Sequence, residues 1–393
     1  MAGRRTQQQR ETNVKKGSSR SSHGAADPHP ASGTGRRRLG RQADSSITLP
    51  EGVSLPLLRT SERTTYKKCE FLWWLIYENK LQPQTEMPAL RFGSLVHKAL
   101  AAYYVPGVKR GVHPARAFEK AYEEDAKHNS EIFGMRVDEE DRWVNALELG
   151  VAMLENYVSE YGKDDRWEVL VTEMPFRVLV SHEVRIDAWP HSKVVPWFWY
   201  TGVLDGVWRD RMDKTLWIPD HKTTAGIGDS KLKYLQVDDQ AGAYWSWGVQ
   251  FLREQGMLGP KQQLNGMMYN FLRKALPDER ASKIVNGKRV YVNLDGSISK
   301  KQPSPYFLRQ PIFRDEFDRA EAQRRSLIDQ HRLELLRSGE LEISKNPGMF
   351  TCPTCSMRDV CELHETGNDW KTFLKQTTKP WDPYAEHEVY DGR

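Results

Sequence analysis

Apolar positions recur at three- and four-residue spacing in several stretches of the chain and at two-residue spacing in others. Phe92, Leu95, Val96, Ala99, Leu100 and Tyr103 form one stripe of a helix over 90–104. Further helices are predicted at about 114–128, 139–161, 234–255 and 313–338. The second of these carries Trp143, Leu147, Val151, Leu154, Val158 and Tyr161, and the last turns Phe313, Phe317, Ala320, Leu327, Ile328 and Leu335 inward. Strands are predicted at 167–173, 176–180, 199–208, 215–222 and 266–272. A hairpin over 285–294 carries the turn signals Asn286-Gly287 and Asp295-Gly296. The dense aromatic patch at 66–75 reads as a short helix or turn in the core. The tryptophan-rich 189–199 segment reads as a hairpin connection, and 226–233 as a mobile loop.

Composition changes this picture mainly at the ends. The 393 residues carry a net charge of only +5, but residues 1–45 hold ten Lys/Arg against Glu11, Asp27 and Asp44, so that stretch is +7 and the remainder −2. Its Gln, Ser, Gly and Arg content predicts a disordered basic tail over 1–48, either a nonspecific phosphate-binding arm or a dispensable extension. The longest apolar run, 71–77, is about a third of a membrane span, and no apolar segment follows the basic N-terminus. A soluble, cytoplasmic protein without a membrane partner is expected.

The chemistry concentrates in 201–222. Thr201, Val203, Asp205 and Val207 alternate onto one strand face; in the next strand Leu216, Ile218, Asp220 and Lys222 share a face, with Trp217 and His221 on the other. Asp220 and Lys222 then project side by side, roughly 6–7 Å apart at two residues of strand rise. If the strands pair, Asp205 joins them. Two carboxylates and an ammonium on one face suit a hard divalent cation and a phosphate ester. D-x-K alone is common at solvated strand ends, so the pair gains meaning only from its company. A lone helical histidine such as His97 is more often structural, although Gly93 one turn earlier leaves space beside it. Gln240 and Tyr244 share a helix face at i,i+4, which read alone is a polar flank.

The four cysteines are Cys69, Cys352, Cys355 and Cys361. In a reducing compartment, thiols at this spacing are metal ligands rather than disulfides. One C-x2-C knuckle, one offset cysteine and one distant partner favour a 4Fe–4S cluster over tetrahedral zinc, which stays as the alternative. Either would staple residue 69 to residue 361 and be structural first.

In order along the chain, His97, G-x-x-D (Gly202 to Asp205), D-x-K (Asp220 to Lys222) and Q-x-x-x-Y (Gln240 to Tyr244) resemble the RecB-type branch of the PD-(D/E)XK nucleases. The flanking Cys69 … C-x2-C-x5-C is similar to its four-cysteine iron–sulfur subset, which includes the AddB nuclease domain and the CRISPR-associated four-cysteine exonucleases. Each motif is weak singly; their order across 69–361 carries the resemblance. Asp stands at 220 where many relatives have Glu, and Glu70 follows Cys69 where proline is common.

The resemblance implies an α/β fold of restriction-endonuclease type: a central mixed sheet flanked by helices, an N-terminal helical region, and an iron–sulfur clip joining both ends. It divides the chain into the tail at 1–48, the nuclease domain at 49–365 and a C-terminal tail at 366–393. His97, Asp205, Asp220 and the main-chain carbonyl of His221 would hold Mg²⁺ or Mn²⁺. Lys222 would activate or orient water, and Gln240 and Tyr244 would hold the DNA strand and shape the site. Cys69, Cys352, Cys355 and Cys361 would ligate the cluster. The implied activity is a DNA exonuclease acting on single-stranded ends in recombination, repair or end processing. A phage setting in a host cytoplasm, a recombination or helicase partner and an oligomer all fit that expectation. No G-x-x-x-x-G-K-[ST] is present, so no ATP motor is read here. The alternatives are a CRISPR-adaptation nuclease, which uses the same site, and a noncatalytic DNA-binding module, which predicts a broken acidic and lysine set.

Overall fold

A computed structural model describes residues 54–84, 88–129, 134–137, 142–185, 192–259, 262, 264–276, 280–286, 288–302 and 304–385; the basic tail, Trp189 and Pro190 lie outside them. The chain opens with β1 (Leu57–Arg59) and α1 (Thr60–Lys68), then α2 (Pro88–Tyr103), α3 (Pro114–Asn129) and α4 (Ala146–Tyr161). Two 19-residue strands follow, β2 (Trp167–Arg185) and β3 (Ser192–Asp210), and then β4 (Leu216–Thr224). A helix runs from α5 (Asp239–Ala243) through a π-turn (Tyr244–Gly248) into α6 (Val249–Glu254). The core closes with β5 (Leu264–Arg273), β6 (Phe307–Phe313) and the long α7 (Glu316–Ser338), and α8 (Arg358–Glu365) and α9 (Trp370–Thr377) complete the chain.

Six strands make one mixed sheet in the order β1-β3-β4-β5-β6, with β2 on the other edge of β3. β4 and β5 run parallel, and β2–β3 and β5–β6 antiparallel. On one sheet face, Phe176, Val178, Tyr200, Leu204 and Ile218 pack under the α5–α6 helix and α7. On the other, Trp208, Trp217, Met268 and Leu272 pack under α2, α3 and α4. The expected architecture, a central mixed sheet flanked by helices, is what the chain adopts. Among the described residues no helix is long and apolar enough to cross a membrane.

Several expectations need correction. The helix expected from 139 begins at Ala146, capped by Asn145, whose side chain accepts from Leu147 N at 2.8 Å. Residues 142–145, Trp143 among them, form a short hairpin with 134–137. The strands read as 167–173 and 176–180 are one strand, and the supposed connection is strand from Ser192 onward. The 226–233 loop contains a helix, Asp229–Tyr234. The long helix starts at Glu316, behind a capping box between Asp315 and Asp318. Phe313, Phe317 and Ile328 point outward, and α7 buries Ala322, Ser326, Asp329, Gln330, Leu333 and Leu336. The C-terminal tail is built into the domain through residue 385: Thr378–Pro380 pairs with Leu81–Pro83, and Tyr384 bonds Glu62 and the Leu57 carbonyl.

Candidate active site

The sheet forks where the chemistry lies. β4 pairs with β3 only at Trp208–Trp217 and Arg209–Leu216, and β1 takes the same edge of β3 at 199–201. Between these contacts Asp205 substitutes for a strand partner, its Oδ2 accepting from His221 N at 2.7 Å. Gly202 of the G-x-x-D motif is a packing requirement: a Cβ there would lie 2.7 Å from the Phe176 ring and 3.4 Å from Tyr244.

α2 brings His97 to the fork. Its Nε2 lies 2.8 Å from the His221 carbonyl oxygen, and its Nδ1 lies 3.5 Å from Asp205 Oδ2 and 3.9 Å from Glu173 Oε1. The neighbouring register pairs, Thr172–Gly206 and Met174–Leu204, put Glu173 directly across from Asp205. Ligand atoms of His97, Glu173 and Asp205 all fall within 4.8 Å of one another. The sequence reading left Glu173 out of the site. Its signal was the alternation of β2, which is visible only when 167–180 is read as one strand.

Asp220 and Lys222 project together, as their spacing predicted. Lys222 Nζ lies 2.8 Å from Asp220 Oδ2, hydrogen-bonds Oδ1 at 3.2 Å, and donates to Gln240 Oε1 at 2.7 Å. Gln240 Nε2 donates to Asp220 Oδ1 at 3.0 Å and to the Tyr244 hydroxyl at 3.1 Å. Asp238 caps the helix that carries Gln240 and Tyr244, accepting from Gln240 N at 3.2 Å. The π-turn starts at Tyr244, a distortion frequent where a helix serves a site. His97, Glu173, Asp205, Asp220, His221, Lys222, Gln240 and Tyr244 therefore form one connected cluster.

Its electrostatics are those of a cation site. Asp205 and Asp220 form the buried floor, while the side chains of His97, Glu173 and Lys222 are 30%, 37% and 33% exposed at the rim. Burial and the Asp205 charge push the Glu173 carboxyl up to about 7, against the pull of His97. Burial likewise raises Asp220 to about 6, with Lys222 opposing and Asp205 adding to the rise. Burial also disfavours charge on Asp205, but facing His97 outweighs it and holds the carboxyl well below the usual range. Despite its own burial, His97 rises to about 9 because Asp205 faces it. Three carboxylates crowd around too little positive charge, a strain that a divalent cation relieves. Asp220 Oδ2 is buried, and Lys222 Nζ at 2.8 Å answers its charge.

Behind β4, the His221 ring is buried and neutral, its pKa lowered by burial to about 3. Its Nδ1 meets Asn270 Nδ2 at 2.8 Å, and Asn270 reaches the Tyr157 hydroxyl at 2.9 Å. Arg309 ties Tyr157, Tyr104 and Asp164 into the same buried group. This network fixes the stretch of β4 whose carbonyl faces His97.

At the other end of the domain, Cys69, Cys352, Cys355 and Cys361 line one cavity of about 830 Å³ with Phe71, Leu72 and Met357. Lys68, Lys345 and Arg358 stand at its wall. Burial pushes the Cys355 and Cys361 thiols up. Among the described residues, no three of the four sulfurs lie within 4.8 Å of one another.

The model of the PD-(D/E)XK nuclease superfamily matches residues 60–362, which span both the fork and the cysteine cavity. No curated protein matches the chain. Among solved structures the chain is similar to that of a protein from Eubacterium rectale named "Putative exonuclease". The identity is 14% and the TM-score 0.39, over 77% of this chain and 87% of that one.

Proposed function

On the premise that this chain belongs to the PD-(D/E)XK nuclease superfamily, we propose that it is a divalent-metal-dependent DNA exonuclease. It acts on single-stranded ends in recombination, repair or end processing. The observation that carries this reading is the cluster at the strand fork: Asp205 accepts from His221 N and faces His97, and Asp220, next to His221 in the same strand, is paired with Lys222. A binding module that had lost its chemistry would not need them together.

His97, Glu173, Asp205, Asp220 and the His221 carbonyl would hold Mg²⁺ or Mn²⁺, an oxygen-rich set with one imidazole that suits such an ion. When bound, the ion supplies charge neutralisation at the scissile phosphate and a more acidic water. Burial works against the Lys222 charge, but Asp220 prevails and holds the side chain as an ammonium. Lys222 therefore donates: it orients the attacking water and steadies the negative charge that develops on the phosphoryl oxygens. Gln240 fixes both Lys222 and Asp220, and the Tyr244 hydroxyl extends this row toward the strand. Hydrolysis forms one water O–P bond, breaks the P–O bond to the leaving sugar, and returns a proton to that sugar oxygen.

For the cysteines the reading is a 4Fe–4S cluster. A single tetrahedral zinc, with Zn–S bonds of about 2.3 Å, draws its four sulfurs to within about 4 Å of one another. The asymmetric spacing, one C-x2-C knuckle, one offset cysteine and one distant partner, departs from the paired knuckles usual for such a zinc and supports the cluster.

The test is cleavage of end-labelled single-stranded and duplex DNA by anaerobically purified protein, with Mg²⁺, Mn²⁺ or EDTA. Lys222→Ala is expected to slow cleavage by about 100-fold or more while retaining DNA binding, and Asp220→Asn to abolish it. Iron and sulfide analysis accompanies the assay. Normal cleavage by Lys222→Ala would overturn the site assignment, and zinc in place of iron would overturn the cluster.

A further inference from the structure

The β2–β3 hairpin extends the active-site face well past the fork. Along β2, Phe176, Val178 and Val180 are buried against the core, while Pro175, Arg177 and Leu179 are half-buried on the opposite face. That opposite face is continuous with the site. Glu173 lies across from Asp205, Pro175 pairs with Val203, Arg177 with Thr201, and Leu179 with Trp199. The Arg177 guanidinium sits 6.0 Å from the centre of the Trp199 ring. Arg177 has no ion pair among the described residues, and its Nε is buried without a hydrogen-bond partner. Among the described residues burial alone acts on it, lowering its pKa, and no acid answers it. A partly exposed guanidinium with no acid partner among the described residues thus stands beside a half-open indole. The pair suits a ligand that brings both an anion and an aromatic face.

We infer that Arg177 and Trp199 form a ledge for the single-stranded part of the DNA substrate, binding a phosphate and stacking a base away from the scissile bond. Four residues of strand separate Glu173 from Arg177, about 13 Å. A stacked strand rising about 3.4 Å per nucleotide covers this in up to four nucleotides, and an extended one in fewer. The ledge deepens the nuclease reading and rests on it for the path of the strand. Every base offers a π-face, so such a contact is tolerant of sequence, but it is closed to bases still stacked within a duplex. It therefore selects single-stranded ends rather than any particular sequence.

The experiment uses the full-length protein in EDTA. It reads fluorescence anisotropy with an oligothymidylate of about a dozen nucleotides and with a blunt duplex of equal length. Cleavage of the same oligonucleotide and of a thymidine dinucleotide follows with Mg²⁺. Trp199→Ala and Arg177→Ala are each expected to weaken single-strand binding about tenfold, with Trp199→Phe close to the parent and duplex binding unchanged. KM for the long oligonucleotide should rise while kcat and dinucleotide turnover hold. Parental single-strand affinity in both alanine variants would overturn the ledge, as would an equal loss on duplex. Slowed dinucleotide cleavage would also overturn it, by showing general damage to the fold. If the parent protein cleaves nothing while the ledge variants still lose single-strand affinity, the nuclease reading fails and the ledge stands.

Discussion

At the scale of single residues the most informative position is Glu173, which carries a positive φ of 43° in the middle of a strand. A non-glycine residue held there costs on the order of 1–3 kcal/mol and persists where the surroundings over-determine it. The gain is a carboxylate aimed across β3 at Asp205 and His97. Two substitutions separate backbone from chemistry. Glu173→Gly and Glu173→Val both remove the charge, and both are expected to lose Mn²⁺ affinity in calorimetric titration. Glycine accepts the backbone, so that variant should stay within about 1 kcal/mol of the parent in urea unfolding. The β-branched valine should fall below it by more than that. Equal stabilities of the two variants would remove the argument from strain. Why the sequence hid this residue is also local. Asp205, Asp220, Lys222, Gln240 and Tyr244 sit in short-range patterns whose spacing already implies a shared face. Glu173 is followed by Met174-Pro175, which reads as a strand break and erases the register that would have carried it to the site.

At the scale of elements, periodicity located the helices and strands but misjudged the face that α7 buries. Its outward Phe317 and Ile328 look like core residues, whereas its inward Ser326, Asp329 and Gln330 look like surface. The reason is a polar seam between elements far apart in sequence. Arg63 of α1 donates to Asp329 at 2.7 Å, Lys67 reaches Asp239 at 2.6 Å and Asp329 at 2.8 Å, and Trp247 Nε1 donates to Ser326 at 3.3 Å. No local pattern encodes such pairing. The seam also serves the site, since Asp239 immediately precedes Gln240. Burial works against the Asp239 charge, but Arg63 and Lys67 hold its carboxyl below the usual aspartate range. A folded value below the unfolded one means stability that is present above the unfolded value, near 3.9, and lost as pH falls through the folded one. In urea unfolding, the parent should exceed Asp239→Asn by a constant margin from about pH 7 to pH 5, closing below about pH 4. A margin that grew toward low pH would show that Asp239 is not the stabilising partner of Arg63 and Lys67.

At the scale of the whole molecule the question is what holds the two ends of the domain together. The cysteine spacing alone predicted a link between residue 69 and residue 361, and the four side chains do line one cavity. A second link was not legible, because a three-residue strand pairing has no periodic signal. Thr378–Pro380 adds to Leu81–Pro83, Trp381 packs edge-on against Tyr77, and Tyr384 hydrogen-bonds Glu62. Ser344 is tied to Glu70 as well, through its backbone N–H at 2.9 Å. The apolar cluster beside the cysteines is small, built on Phe71, Leu72, Leu75, Met357 and Val360, while the two sheet faces each carry a far larger core. Loss of the proposed iron–sulfur cluster should therefore open this end as a local unit and leave the sheet folded. For Cys355→Ala, which is expected to lose its iron, amide exchange should accelerate at 69–75 and 343–366. β4 and β5 should stay protected, and the strap at 378–385 should change little because its own contacts do not pass through the cysteines. Protection lost throughout β4 and β5 would mean instead that the cluster supports the catalytic fork itself, and that the two sites unfold as one.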